Sequence, residues 1–443
     1  MIKPMRKLSP SFAFVLLAIA ALFAGPLAAQ SLNIDIVGGV KTATPIVVVP
    51  FAQQGGAPLT TDIADVMRND FNRSGKFRSL DKPSIVEFPS QGADIKFATW
   101  RLLKQDYITV GRVSDAGGGM LKVDFELWDV NKQQSLLAQS FTAPAGDLRG
   151  VAHQIADLVY QKITGVRGAF WTRIAYITAV GLGNNTTYSL IVADSDGFNP
   201  QVVARSKESL LSPAWSPDGK KIAYVSFESG NSHIYVQDLT TGARQLIEAH
   251  SKGINSAPAF SPDGSRLAVS LSFTGNPQIF VTDLSGHSEN QLTRGGLSIN
   301  TEPVWSPDGQ GIYFTSDRSG KPQIYQVSAS GGEAQRVTFQ GQYNAKASVS
   351  YDSKQIAMVQ GNGNVYRIAI MDRSLGGQVR FVSQGPIDDS ASFAPNASML
   401  LYAATDGSRG VLYSVSADGM VRQRLALAGG NVQEPAWGPY REH

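Results

Sequence analysis

Two rhythms of apolar residues run along this chain. Between residues 45 and 168 helical and strand periods are mixed. Ile46, Val47, Val48 and Val49 form an apolar run ending at Pro50, the pattern of a strand buried on both faces. Ile63, Val66, Met67 and Phe71 then recur at helical spacing, with Thr60 or Thr61 as cap and Gly75 as stop. The pattern predicts a second helix over 93–104 and a strand over 107–113. Leu121, Val123, Phe125 and Leu127 alternate with Lys122, Asp124 and Glu126, so a half-buried strand follows the glycine turn 117–119, and residues 136–141 close a meander. Leu148, Val151, Ile155, Leu158 and Val159 give a last amphipathic helix capped by Asp147. A small mixed α/β domain is expected over residues 45–168.

The second rhythm is a repeat. Pro213-Ala214-Trp215-Ser216-Pro217-Asp218-Gly219 returns as Pro258-Ala259-Phe260-Ser261-Pro262-Asp263-Gly264 and as Pro303-Val304-Trp305-Ser306-Pro307-Asp308-Gly309. Decayed copies run over 348–353 and 391–397, and a truncated one is Pro435-Ala436-Trp437-Gly438-Pro439. Successive spacings are 45, 45, 44, 44 and 44 residues. A period in that range with four short strands per unit is the mark of a β-propeller blade. Second-strand motifs begin one unit early, at Ile174-Ala175-Tyr176, and first-strand motifs end one unit late, at Trp437. The orphans should pair with each other. This predicts a six-bladed propeller of four-stranded blades over 169–443, closed by the C-terminal strand, which hides the two edges an open array would expose.

Ahead of both rhythms lies an address. Lys3, Arg6 and Lys7 precede an uninterrupted apolar run of 13 residues from Phe12 to Ala24, followed by Gly25-Pro26 and small residues up to Ala29. These are the three parts of a secretory signal peptide over 1–29 with cleavage near Ala29-Gln30; a membrane anchor needs about 20 apolar residues. The product is therefore expected to be exported and not membrane-embedded, most simply in the periplasm. Residues 30–44 form an arm in which Leu32, Ile34 and Ile36 alternate with Asn33 and Asp35 before a Gly38-Gly39 hinge. It reads either as an ordinary first strand or as a detachable strand that adds to a partner's sheet.

Charge and composition narrow the function. Removing the three leader cations from the 39 basic residues leaves 36, matching the 36 acidic ones, so nothing general favours nucleic acid or anionic membrane. The chain has no Cys, which excludes disulfides, thiol nucleophiles and Cys-metal sites. No G-x-S-x-G, H-E-x-x-H or P-loop occurs. The five His (153, 233, 250, 287 and 443) sit at unrelated repeat phases, and turn chemistry accounts for Asp218, Asp263, Asp308 and Asp352 better than a calcium ring does. The aromatic series Trp215, Phe260, Trp305, Phe393, Trp437 is expected to be blade-to-blade packing. No catalytic residue, metal or cofactor is assigned. The segments entering each first strand all emerge on one face around the channel mouth, mixing Asn, Ser, Thr and acidic groups with single apolar residues, as a protein-docking surface does.

The order of leader, small α/β domain and P-A-[WF]-S-P-D-G repeats, with Asn72-Arg73-Ser74-Gly75-Lys76-Phe77 and Asn300-Thr301-Glu302-Pro303, resembles the TolB family of periplasmic Tol-Pal components over the whole chain. The resemblance implies a non-enzymatic coupling protein that supports outer-membrane integrity and constriction at cell division. It implies that the lipoprotein Pal docks on the channel face, here at Ile254, Asn255, Ala257, Asn300, Thr301, Glu302, Asp388 and Gln433. It also implies that TolA is contacted through the arm, here Ser31, Leu32, Asn33, Ile34, Asp35, Ile36 and Val37. Two other classes stay open: an exported propeller enzyme, and a propeller that binds peptidoglycan carbohydrate, for which Tyr343 is the one loop-tip aromatic.

Overall fold

The computed structural model describes residues 34–36, 43–55, 58–248, 250, 252–285, 288–294, 296–427 and 429–442. The leader 1–29 and the arm residues Ser31, Leu32, Asn33 and Val37 lie outside the described residues, as do His287 and His443.

Strand β1 is Ile34–Ile36, and its partner belongs to the propeller. The α/β region is built on β2 (Thr44–Val48), β3 (Ala52–Gln54), β4 (Phe77–Ser79), β5 (Tyr107–Gly117), β6 (Met120–Asp129) and β7 (Gln134–Pro144). The sheet order is β4-β2-β5-β6-β7, with β3 continuing along β5. β2 runs parallel to β4 and β5, while β5, β6 and β7 form the antiparallel meander. The apolar run in β2 serves two cores, because successive side chains alternate faces. Ile46 and Val48 pack under helices α1 (Ile63–Arg73) and, after the intervening helix, Leu148–Thr164; Val47 and Val49 pack with Trp100 on the other side.

Three details of the expected elements change. The cap of α1 is Asp62, whose Oδ1 accepts from the Asp65 amide at 3.1 Å, and neither Thr60 nor Thr61 takes that place. The helix expected over 93–104 becomes a 3-10 turn, Gly92–Asp94, and a six-residue α2, Phe97–Leu102. The anchors of this segment, Ile95 and Trp100, are five residues apart, which is not a helical period. Asp147 stands at the N-cap of α3 (Leu148–Thr164), but its carboxylate makes no capping bond.

After α3 the chain builds six blades among the described residues, each a four-stranded antiparallel sheet before β1 is added. The inner strands are Leu210–Trp215, Asn255–Phe260, Asn300–Trp305, Tyr343–Val349 and Asp388–Phe393 for blades 2 to 6. Blade 1 holds Thr172–Val180, Thr187–Asp194 and Gln201–Ser206, and takes its inner strand from the other end of the chain, Asn431–Tyr440. The closing register is Trp437 opposite Ile174 and Ala436 opposite Ala175.

The repeated Ser-Pro-Asp-Gly is a self-contained turn. In blade 2, Asp218 accepts from Ser216 Oγ at 2.6 Å and from the Lys220 amide at 3.0 Å, with Gly219 at φ +67°. Asp263, Asp308 and Asp352 do the same in blades 3, 4 and 5. The aromatics seal neighbouring blades: Trp215 donates Nε1–H to Ala436 O and Trp305 to Ala259 O, each at 3.1 Å. Phe260 and Phe393 join the apolar clusters of the blades before them.

These turns and those joining third to fourth strands share one propeller face, and the α/β region sits on it over blades 1 and 6. A single hydrophobic core runs from α1 and α3 into Ile174, Tyr176, Met399, Leu401 and Trp437. Asn396 donates to Arg167 O at 2.9 Å, and Lys76 Nζ lies 3.5 Å from Asp418. The opposite face, where the loops enter the inner strands, is free of the α/β region. β1 lies antiparallel on the outermost strand of blade 6, Val421–Arg424, with Ile34 opposite Gln423, Asp35 opposite Arg422 and Ile36 opposite Val421. The arm thus adds a strand to its own propeller.

Candidate docking face and the domain junction

Each inner strand breaks register near its start, where it meets the channel. A non-glycine residue in the left-handed region marks every break: Ser212, Ala257, Glu302, Lys346, Ser390 and Glu434, all at φ between +48° and +55°. Such residues persist only where the surroundings hold them, and they concentrate at functional positions. Here they ring a depression of about 350 Å³ at the channel mouth, together with the residues that follow them.

The charges of this ring are stitched from blade to blade. Glu302 accepts from Thr315 Oγ1 at 2.7 Å and from the Lys346 amide at 3.1 Å. Lys346 Nζ reaches Asp389 at 2.6 Å and Ser390 Oγ at 3.2 Å, and Glu434 accepts from the Ser212 amide. Burial raises the carboxyl pKa of Glu302 and of Glu434. Burial also works against the Lys346 ammonium, but Asp389 and Glu302 outweigh it and its pKa rises. Three carboxylates thus face one lysine, and the mouth is electronegative.

The eight face residues named from the sequence separate into two groups. Asn255, Asn300 and Asp388 are buried, each about 1% exposed, and hold the loops in place. Asn255 Nδ2 donates to Ser232 O at 2.6 Å, and Asn300 Nδ2 donates to Gln278 Oε1 at 2.8 Å. Asp388 accepts from the Gly385 amide at 2.8 Å, and burial raises its pKa. Asn344, at the same phase in blade 5, donates to Gln323 Oε1 at 2.8 Å. Ala257, Thr301, Glu302 and Gln433 are half-buried at the rim, and Ile254 is 53% exposed. Three further apolar side chains stand out on this face: Ile387 at 56% exposure and Ile299 at 44%, both single apolar residues of the loop segments read from the sequence, and Leu297 at 90%, which that reading missed. Their signal is a lone apolar residue in a polar loop, as in Gly296-Leu297-Ser298. Tyr343 is not a free stacking platform; its ring packs edge-on against Tyr366 at 5.2 Å.

A second cluster lies buried between the α/β region and blade 1. His153 Nδ1 is 2.6 Å from Asp70 Oδ2, and its Nε2 is 3.5 Å from Asp196 Oδ2. Arg73 donates to Asp70 and, across the junction, to Ser195 O and Oγ at 3.0 and 2.7 Å. Arg149 pairs with Asp196. Asp70, His153 and Asp196 stand within 4.8 Å of one another, close enough for a metal by distance alone. The donor set does not fit one. The two carboxylates address opposite ring nitrogens, of which an ion could reach only one, and each is already held by an arginine. Neither His233 nor His250 joins this cluster.

A family model described as the TolB amino-terminal domain matches residues 32–136, and one described as the TolB beta propeller domain matches residues 160–441. The chain belongs to the TolB family. The Tol-Pal system protein TolB of Xanthomonas campestris pv. campestris strain B100 is 65% identical over 414 residues, covering 93% of this chain and 94% of that one. The TolB of Xanthomonas oryzae pv. oryzae strain KACC10331 / KXO85 is 63% identical over 441 residues, 99% of each. The crystal structure of TolB from Acinetobacter baumannii, 38% identical, superposes with a TM-score of 0.83 over 92% of this chain and 100% of its own. The TolB architecture therefore extends over both the α/β region and the propeller, and no helix among the described residues is long and apolar enough to cross a membrane.

Proposed function

We propose that this chain is a non-enzymatic periplasmic docking scaffold of the Tol-Pal envelope system. The open propeller face takes the lipoprotein Pal, and the N-terminal arm takes TolA, supporting outer-membrane integrity and constriction during division. The observation carrying this reading is the open face itself. Exposed Ile254, Leu297, Ile299 and Ile387 surround an electronegative mouth, on the side of the propeller that the α/β region leaves bare. Exposed apolar side chains gathered on one face around a charged centre mark a surface that a protein partner covers.

The arm supports the second half. β1 is held through backbone pairing along three residues at a blade edge, an arrangement that any other strand edge can replace. An arm that is docked in one partner's complex and free in the other's couples the two affinities, each partner changing the other's by the same factor. The test is a titration of Pal onto the mature protein with and without residues 30–41, alongside a Thr301→Arg variant. A changed affinity on removing the arm is expected, and equal affinities overturn the coupling. Thr301→Arg is expected to weaken Pal at least tenfold with unchanged melting temperature; unaltered binding overturns the face.

A further inference from the structure

The buried junction between the α/β region and blade 1 contains an imidazole with an acceptor on each side. A neutral imidazole has one N–H and one lone pair, so only its protonated form can donate to both Asp70 and Asp196. In the neutral ring one lone pair would face a carboxylate oxygen, and His153 Nε2 has no hydrogen-bond partner within the described residues to offset it. An unpaired polar contact of that kind is costly where water is excluded.

Charge counting points the same way wherever Asp157 is ionised. α1 brings Asp70 and Arg73 to the junction, α3 brings Arg149 and Asp157, and the turn after Thr187–Asp194 brings Asp196. Asp194, further out, is paired with Arg441 at 3.7 Å. While Asp157 is ionised, the inner set of three carboxylates and two guanidiniums is one cation short, and a proton on His153 supplies it.

We infer that His153 is a proton-operated latch: protonated, it ties α3 to blade 1 through Asp196; deprotonated, it leaves that tie unmade and the two regions less firmly joined. Burial opposes the His153 charge, but Asp70 and Asp196 outweigh it and its pKa is raised. Burial also pushes Asp157 up to about 7, against the Phe170 and Trp171 amides that donate to it at 2.7 and 3.1 Å. Both raised groups act in one direction. The contribution of His153 is complete below its free value of about 6.5 and is lost as pH rises through its closed-state value. That of Asp157 is lost earlier, between about 3.8 and 7. Burial opposes the Asp196 charge as well, but His153 and Arg149 hold its pKa low, and that contribution is lost only in strong acid. The junction is therefore tightest in mild acid and loosens toward alkaline pH. Gly75, two residues past the end of α1, sits so close to Ser416 and Val421 that a β-carbon would touch them, so the helix carrying Asp70 and Arg73 abuts the strand on which β1 docks.

The test uses the full mature protein with His233, His250, His287 and His443 replaced by Gln, which leaves His153 as the one imidazole for NMR titration. A pKa above 6.5 is expected, and a value at or below it overturns the latch. Amide exchange over 195–198 in the wild-type protein, corrected for intrinsic rates, is then followed from pH 7 to 9, above the Asp157 range. Opening is expected to increase with pH by up to tenfold per unit until the His153 pKa is passed. His153→Gln is expected to flatten that window. A wild-type profile flat from pH 7 to 9 overturns the proposal whether or not the variant folds.

Discussion

Ser353 and Ala397 occupy the left-handed corner that Gly219, Gly264 and Gly309 take in the better-preserved repeats, at φ +59° and +58°. A β-carbon there crowds the following carbonyl at a cost of about 1–2 kcal/mol, partly offset by the extra freedom glycine has when unfolded. Ser353→Gly and Ala397→Gly are each expected to stabilise the protein by about 0.5–1 kcal/mol, read from urea midpoints at unchanged slope. In the decayed fourth and fifth repeats the loss of the corner glycine thus weakens the turn while the turn itself survives: Asp352 and Asn396 still accept from the amide two positions on. Turn residues were legible in the sequence because their partners lie within five positions. The roles of Asn255 and Asn300 were not, since Ser232 and Gln278 come from the blade before. Nor was the junction of His153 with Asp70, which lies 83 positions away.

Elements were legible where a period ran long enough to dominate. The five complete or decayed repeats revealed five blades, and the mismatch between first-strand and second-strand motifs revealed the sixth and its closure. The segment over 93–104 was misjudged because two deep anchors at a non-helical spacing pin it against the sheet. In the closing strand, Trp437 is 6% exposed, donates its ring Nε1–H to Thr172 Oγ1 at 2.8 Å and donates its amide N–H to Ser392 Oγ of blade 6 at 2.8 Å. Trp437→Ala removes that wedge from three elements at once and is expected to cost about 3–5 kcal/mol, measured by equilibrium unfolding. Deleting residues 431–443 strips blade 1 of its inner strand. It is expected to abolish the single cooperative transition of the propeller, a loss visible by calorimetry as a broadened, low-enthalpy melt.

For the molecule as a whole, the placement of the α/β region decides what is left to bind. α1 and α3 occupy the turn-bearing face over blades 1 and 6, so the charged mouth and its apolar fringe look away from them. β1, which precedes the α/β region in the chain, pairs with blade 6, adding a backbone contact to the shared core and the buried cluster. No period or motif announces such an arrangement, because it depends on which helix faces meet which blades.

That the inner strand of blade 1 comes from residues 431–440 also bears on how such a molecule is made. Until that last stave arrives the toroid has two raw sides, and proteases meet an unfinished barrel hoop. A copy that lacks this stave is expected to be degraded faster than the intact chain, because both raw sides stay open to proteases.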